Sequence, residues 1–289
     1  MAEPVLRDVS DTAFWIAHYR ARETARADAL FNDPYAERLA GERGVRIAHA
    51  MPGSRFVEWT VALRTRIIDT FIQNALAGGA DIILNLGAGL DARPYRMTLP
   101  ANVRWIEADY DRIIEYKEHV LANEAPRCRL ERVKIDLADR SARQAFLNRP
   151  DFQTCKCLVL TEGVVPYLTP ADAGVLADDL YSASHVHWWV LDYFSNRALR
   201  YRQRSRLHKV MGDVRFQFDP PDWFAFFQQH GWKPKEMRYF VEEGSRLKRI
   251  PPLPVPVLLL YALRAPFMSA KARDELRRSA GYALMERLA

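Results

Sequence analysis

Apolar positions along this chain follow two periodicities. Up to residue 78 they recur every three or four positions. Phe56, Trp59, Leu63, Ile67 and Phe71 place one apolar stripe on a helix from about 55 to 76. Ser10 or Asp11 can cap an earlier helix through Ala13, Ala17, Ala21 and Ala25, and Asp33-Pro34 supplies the cap and first-turn proline of another. From residue 81 the pattern changes. Short apolar runs at 82–86, 103–108, 130–135, 156–161 and 186–193 are mostly separated by amphipathic stretches at about 111–123, 139–148 and 170–183. Strands separated by helices predict an α/β fold, a doubly wound and mostly parallel Rossmann-like sheet, preceded by a helical cap. Further strand candidates at 232–240 and 257–263 would complete it, with a proline-rich connector at 249–256 between them. The stretch from about Ser269 predicts a basic amphipathic helix. The expected organisation is a cap over 1–78, a core over 79–265 with a helical insertion or lid at 196–215, and a C-terminal helix over 266–289.

Composition narrows the class without naming it. The 289 residues are 49% hydrophobic and 27% charged, as in ordinary globular proteins. No apolar run approaches the roughly 20 residues needed to span a bilayer. Met1-Ala2-Glu3-Pro4 has neither a basic start nor an apolar secretory segment, so a cytoplasmic location is expected. Cys128, Cys155 and Cys157 fit neither a disulfide framework nor a zinc site, and the seven histidines show no metal-ligand spacing, so no metal is expected. The net charge of +6 is concentrated in Arg197, Arg200, Arg202, Arg204, Arg206 and Lys209. This run reads first as the solvated face of a helix and second as an arm attracting an anionic acceptor. No nucleic-acid-binding module accompanies it.

The chemistry lies at the ends of successive strand candidates, where ligands bind in sheets of this kind. The first ends in Asn85-Leu86-Gly87-Ala88-Gly89-Leu90-Asp91, a glycine turn that lets backbone approach a ligand closely. With Ala92 it completes G-x-G-x-x-A, and Asp109 follows Gly89 by 20 residues, as in a dinucleotide site. The later acids point elsewhere. Asp109 can accept from both ribose hydroxyls, while Asp136 and the Leu137 amide lie where an adenine edge should fall. Two acids at successive strand ends suit adenosine carrying a cationic sulfonium, S-adenosyl-L-methionine, better than a nucleotide pair joined by pyrophosphate. Glu162 after the fourth strand would face the methionine ammonium group, and Tyr167 could offer a ring face or a hydroxyl.

Several blocks occur in order: Thr12-Ala13-Phe14-Trp15, Asp33-Pro34-Tyr35-Ala36, Arg64-Thr65-Arg66-Ile67-Ile68-Asp69, the glycine turn continuing through Ala92-Arg93-Pro94-Tyr95-Arg96, Asp136-Leu137, and Glu162-Gly163-Val164-Val165-Pro166-Tyr167-Leu168. Together they resemble the leucine carboxyl methyltransferase-like family, in particular its bacterial branch with polyketide-linked O-methyltransferases, over about residues 10–245. The resemblance implies a class I methyltransferase sheet and S-adenosyl-L-methionine as cofactor. It places Gly87 and Gly89 at the methionine-side turn, Asp109 on the ribose, Asp136 and Leu137 on the adenine, and Glu162 beside the methionine moiety. An arginine would clamp the cofactor carboxylate, Arg64 in preference to Arg66, while the arginine not so used would pair with Asp69 or Asp91. The implied reaction is in-line methyl transfer to a carboxylate or hydroxyl of a small or carrier-bound acceptor. A carboxylate acceptor needs no general base; for a phenol or enol, Tyr167 and His18 are the candidates. This chain departs from the family at Leu160-Thr161 and in the basic segment 196–210, both expected to border the acceptor. An NAD(P)-dependent oxidoreductase and a catalytically silent cofactor-binding regulator remain the alternatives.

Overall fold

The apolar runs become the interior of a seven-stranded sheet. The computed structural model describes residues 5–6, 8–211, 214–253, 256–257 and 263–288. Its strands are β1 (Ile82–Leu86), β2 (Arg104–Asp109), β3 (Arg129–Lys134), β4 (Cys157–Thr161), β5 (Val186–Phe194), β6 (Trp232–Tyr239) and β7 (Ala280–Arg287). They lie in the order β3-β2-β1-β4-β5-β7-β6. The first five run parallel, whereas β7 is antiparallel to both β5 and β6. Strands β1 and β4 are buried along their whole length, which is why they read as unbroken apolar runs rather than alternating ones.

Helices cover both faces. Before the sheet come α1 (Asp11–Thr24), α2 (Ala36–Ala50) and α3 (Ser54–Ala77). Within it and after it come α4 (Arg93–Arg96), α5 (Asp111–Val120), α6 (Arg140–Leu147), α7 (Pro170–Ser182), α8 (Asn196–Gln203), α9 (Arg206–Met211), α10 (Trp223–Gln229), α11 (Phe240–Arg246) and α12 (Ala270–Arg277). Side chains that start them accept from the first-turn amides: Asp139 for α6, Thr169 for α7, Ser195 for α8 and Asp222 for α10. On one face Ile82, Leu84 and Leu86 pack with Leu176 and Leu180 of α7 and Phe227 of α10. On the other, Ile83, Leu158, Leu160 and Val190 pack with Leu63, Ile67 and Phe71, the apolar stripe of α3. The period-two alternation of a strand thus divides β1 between two cores. Helix α1 packs against α2 and α3. Its Arg20 donates to Asp33 at 2.8 Å and to the Leu90 carbonyl at 2.5 Å, tying the helical cap to the loop after β1.

The C-terminus differs from expectation. In place of a helix running to the end of the chain, α12 stops at Arg277 and β7 follows, buried from Gly281 to Met285 and inserted between β5 and β6. Ala, Leu, Met, Glu and Arg favour helix intrinsically, but the open edges of two sheet strands outweigh that preference. Gly281 makes the insertion possible, because a Cβ there would lie 2.0 Å from the Arg238 carbonyl oxygen of β6. Most of the strand expected at 257–263 lies outside the described residues, and the place it would have filled belongs to β7. Among the described residues no helix is long and apolar enough to cross a membrane.

Candidate functional site

A cavity of about 840 Å³ opens at the carboxyl ends of β1, β2, β4 and β5 under the helical cap. It is lined by Gly87, Gly89, Asp109, Leu137, Glu162 and Tyr167 from the expected residues, and by Arg64, but Arg66 is not among its lining residues. After Leu86 the chain turns through Gly87 at φ 69° and Gly89 at φ 51°, backbone that only glycine adopts without strain. The turn is also packed tightly. A Cβ on Gly87 would meet Val164 Cγ2 at 2.5 Å, and one on Gly89 would meet Ala13 of the cap at 3.2 Å.

Asp109, the last residue of β2, is buried at this turn. Its two carboxylate oxygens accept the amides of Gly89 and Tyr110, each at 2.7 Å, and burial pushes its pKa up despite those bonds. An ionised carboxylate has about four acceptor positions, so both oxygens keep capacity for further donors. Beyond β3, Ile135 and Leu137 line the cavity. Asp136 does not. Its side chain is exposed, accepts the Ala138 amide at 2.9 Å and borders a separate shallow hollow with Tyr110, Asp111 and Arg112. Past β3 the chain enters a turn closed by the Asp139 amide on the Asp136 carbonyl at 3.1 Å, and the Asp136 side chain bonds back to that turn rather than to the cavity.

Glu162 follows β4 and is held between two arginines. Oε1 pairs with Arg64 Nη2 and Oε2 with Arg93 Nη1, both at 2.8 Å. Burial raises its pKa, but Arg93 and Arg64 outweigh that effect and leave the carboxyl below its ordinary value. Arg93 also donates to Asp69 at 2.7 Å and to Asp91 at 2.8 Å, and Arg96 makes a two-pronged pair with Asp69 at 2.7 and 2.8 Å. The acids expected to pair with Arg64 or Arg66 are therefore occupied by Arg93 and Arg96, leaving Arg64 with Glu162. Such a network holds the strand ends in one geometry, because removal of any partner would leave a buried charge uncompensated. Arg64 Nε is buried without a hydrogen-bond partner among the described residues, a spare donor at the cavity wall.

Asp192, two residues before the end of β5, lines the cavity close to Glu162. It accepts the Tyr282 hydroxyl at 2.5 Å and the Gly163 amide at 2.8 Å, and burial raises its pKa to about 6. Tyr167 packs edge-on against Phe216 at 5.1 Å, and burial raises its hydroxyl pKa. His18 lies outside the cavity lining. Sequence reasoning missed the Asp69–Arg93–Arg96 network and the Asp192–Tyr282 pair. Arg93 and Arg96 stood 24 and 27 positions from Asp69, in a different block, and Tyr282 lay in a segment read as helix.

The sheet order and the strand-end cavity determine which proteins this chain is like. The sequence profile of the leucine carboxyl methyltransferase family matches residues 13–180. The chain belongs to the leucine carboxyl methyltransferase family. A Frankia alni relative, provisionally named an S-adenosyl-L-methionine-dependent methyltransferase, is 30% identical over 272 residues, spanning 88% of this chain and 93% of the relative. The crystal structure of a DUF574 family protein from Streptomyces avermitilis shares the fold, with a TM-score of 0.59 and 12% identity over 96% of this chain and 97% of that one. A protein from Thermobifida fusca, provisionally titled a methyltransferase, shares it with a TM-score of 0.51 and 14% identity over 94% of both chains. The fold is that of the class I methyltransferases, and this family member is an S-adenosyl-L-methionine-dependent methyltransferase.

Proposed function

We propose that this enzyme methylates an oxygen, a carboxylate or hydroxyl of a small or carrier-bound acceptor, within the strand-end cavity. The observation that carries the cofactor half of this reading is Asp109, a buried acid on the cavity wall beside a glycine turn, with acceptor positions left over after its two backbone amides. S-adenosyl-L-methionine, when bound, supplies an electrophilic methyl group on sulfur. The residues present fit it. Asp109 would hold the ribose hydroxyls, and Gly87 and Gly89 permit close backbone approach. Leu137 would cover the adenine from the cavity side, with Asp136 reaching it only from the rim. Arg64, through its unpartnered Nε, would take the amino-acid carboxylate. Glu162, already neutralised by two arginines, would meet the ammonium group as part of a network rather than as an isolated charge.

The protein's own contribution to transfer is alignment and exclusion of water. The cap helix α1, bonded to the glycine loop through Arg20, and the aromatic wall of Tyr167 and Phe216 enclose the reacting region. An ionised carboxylate acceptor would require no proton removal, whereas a hydroxyl would need a proton acceptor such as Asp192 at the cavity edge. The test is equilibrium binding of S-adenosylhomocysteine and of NAD(P) to wild type and Asp109→Asn. Two charge-assisted hydrogen bonds are worth about 1.5–3 kcal/mol each, so Asp109→Asn should weaken S-adenosylhomocysteine at least about tenfold. Affinity unchanged by the substitution would contradict the placement of the ribose, and tight binding of NAD(P) alone would overturn the reading.

A further inference from the structure

The basic segment after β5 divides into two kinds of arginine. Arg197, Arg200 and Arg204 are exposed, as on the solvated face of a helix. Arg202, on α8, turns the other way and lines the cavity beside Tyr167, Phe194 and Phe216. Its guanidinium carbon lies 3.8 Å from the centroid of the Phe216 ring and 6.0 Å from that of Phe194. It makes no hydrogen bond or ion pair through its guanidinium to any described residue. Asp192 attracts it from across the cavity but has its carboxylate oxygens engaged by Tyr282 and Gly163, and Arg64 on the same cavity adds repulsion. Burial depresses the Arg202 pKa by more than Tyr167 and Asp192 raise it, so the cation is only partly compensated.

A half-buried cation without a hydrogen-bonding partner is costly, and an incoming anion relieves that cost. Stacking on Phe216 occupies only the flat face of the guanidinium. Its N–H groups point outward in the plane, the fork that matches a planar carboxylate. Phe194 and Phe216 flank it, and the apolar side chains Trp15 and Leu207 line the same cavity. We propose that Arg202 is a specificity-determining residue that selects acceptors with an apolar body and an acidic anchor group. This deepens the methyltransferase reading, on which it rests, by naming the acceptor class.

The experiment titrates the full-length protein, with and without saturating S-adenosylhomocysteine, using octanoate and 3-phenylpropionate against their neutral counterparts octanamide and 3-phenylpropanamide. A charge-assisted fork predicts acids at least about tenfold tighter than amides for wild type. Arg202→Gln should bring that ratio within about threefold while S-adenosylhomocysteine affinity stays within about twofold, a control for folding. Arg202→Lys, a point charge without the fork, should retain part of the preference. Acids and amides behaving alike with wild type, including no binding of either, would overturn the proposal, as would an acid preference that survives Arg202→Gln. Failure of the cofactor reading appears separately, as absence of S-adenosylhomocysteine binding to wild type, because the acid preference is also measured without it.

Discussion

Asp192 should make this protein less stable as the pH rises through the mildly acidic range. Its carboxyl is buried, and its pKa rises from an ordinary 3.8 to about 6 against the pull of the Tyr282 hydroxyl, Arg64 and the Gly163 amide. The folded state therefore binds a proton more tightly than the unfolded chain does between those values, and unfolding free energy falls as pH increases across them. At ~1.4 kcal/mol for each tenfold change, the ionised group costs about 3 kcal/mol near neutrality, of which about 2 kcal/mol develops between about pH 4.5 and about pH 7.5. Asp192→Asn removes the titration while keeping the shape. The amide oxygen can accept the Gly163 N–H, and the amide nitrogen can donate to the Tyr282 oxygen, so rearranged hydrogen bonds shift stability by about 1 kcal/mol, independent of pH. Urea unfolding of both proteins at the two pH values isolates most of the term, because titrating groups that do not act on Asp192 cancel in the difference. The variant should gain about 2 kcal/mol relative to wild type at the higher pH. Parallel pH profiles for the two proteins would refute the argument and show that Asp192 ionises in the folded state as it does in the unfolded chain.

The buried network and the glycine turn supply two further tests. Asp69→Asn strips Arg93 and Arg96 of a shared, buried partner and should cost about 3–5 kcal/mol in urea unfolding; a loss under about 1 kcal/mol would mean that solvent reaches those arginines. Gly87→Ala combines a left-handed backbone with a Cβ 2.5 Å from Val164, whereas Gly53→Ala has a similar φ of 73° and nothing within 4 Å. The first should therefore lose more stability than the second, by about 1–3 kcal/mol, and weaken S-adenosylhomocysteine binding as well. Equal losses would show that backbone strain alone governs the turn.

The alternation of strand-like runs and amphipathic stretches was sufficient by itself to indicate five parallel strands and the intervening helices, because inner strands such as β1 and β4 are buried on both faces and must be apolar throughout, and a helix on a sheet must be apolar on one stripe. The ordered blocks around Gly87, Asp136 and Glu162 were equally sufficient to indicate the family. What local pattern could not decide was anything set by partners distant in the chain. Segment 280–287 has the composition of a helix and became a strand because β5 and β6 offered it hydrogen bonds on both edges. Asp69 and Arg93 are 24 positions apart, and only packing of α3 against the strand ends brings them to 2.7 Å. The basic run illustrates the same division within two short helices. The sequence established that it is strongly cationic, and only the tertiary structure decided that Arg202, among Arg197, Arg200, Arg202 and Arg204, lines the cavity, since the direction a side chain takes depends on what the helix packs against.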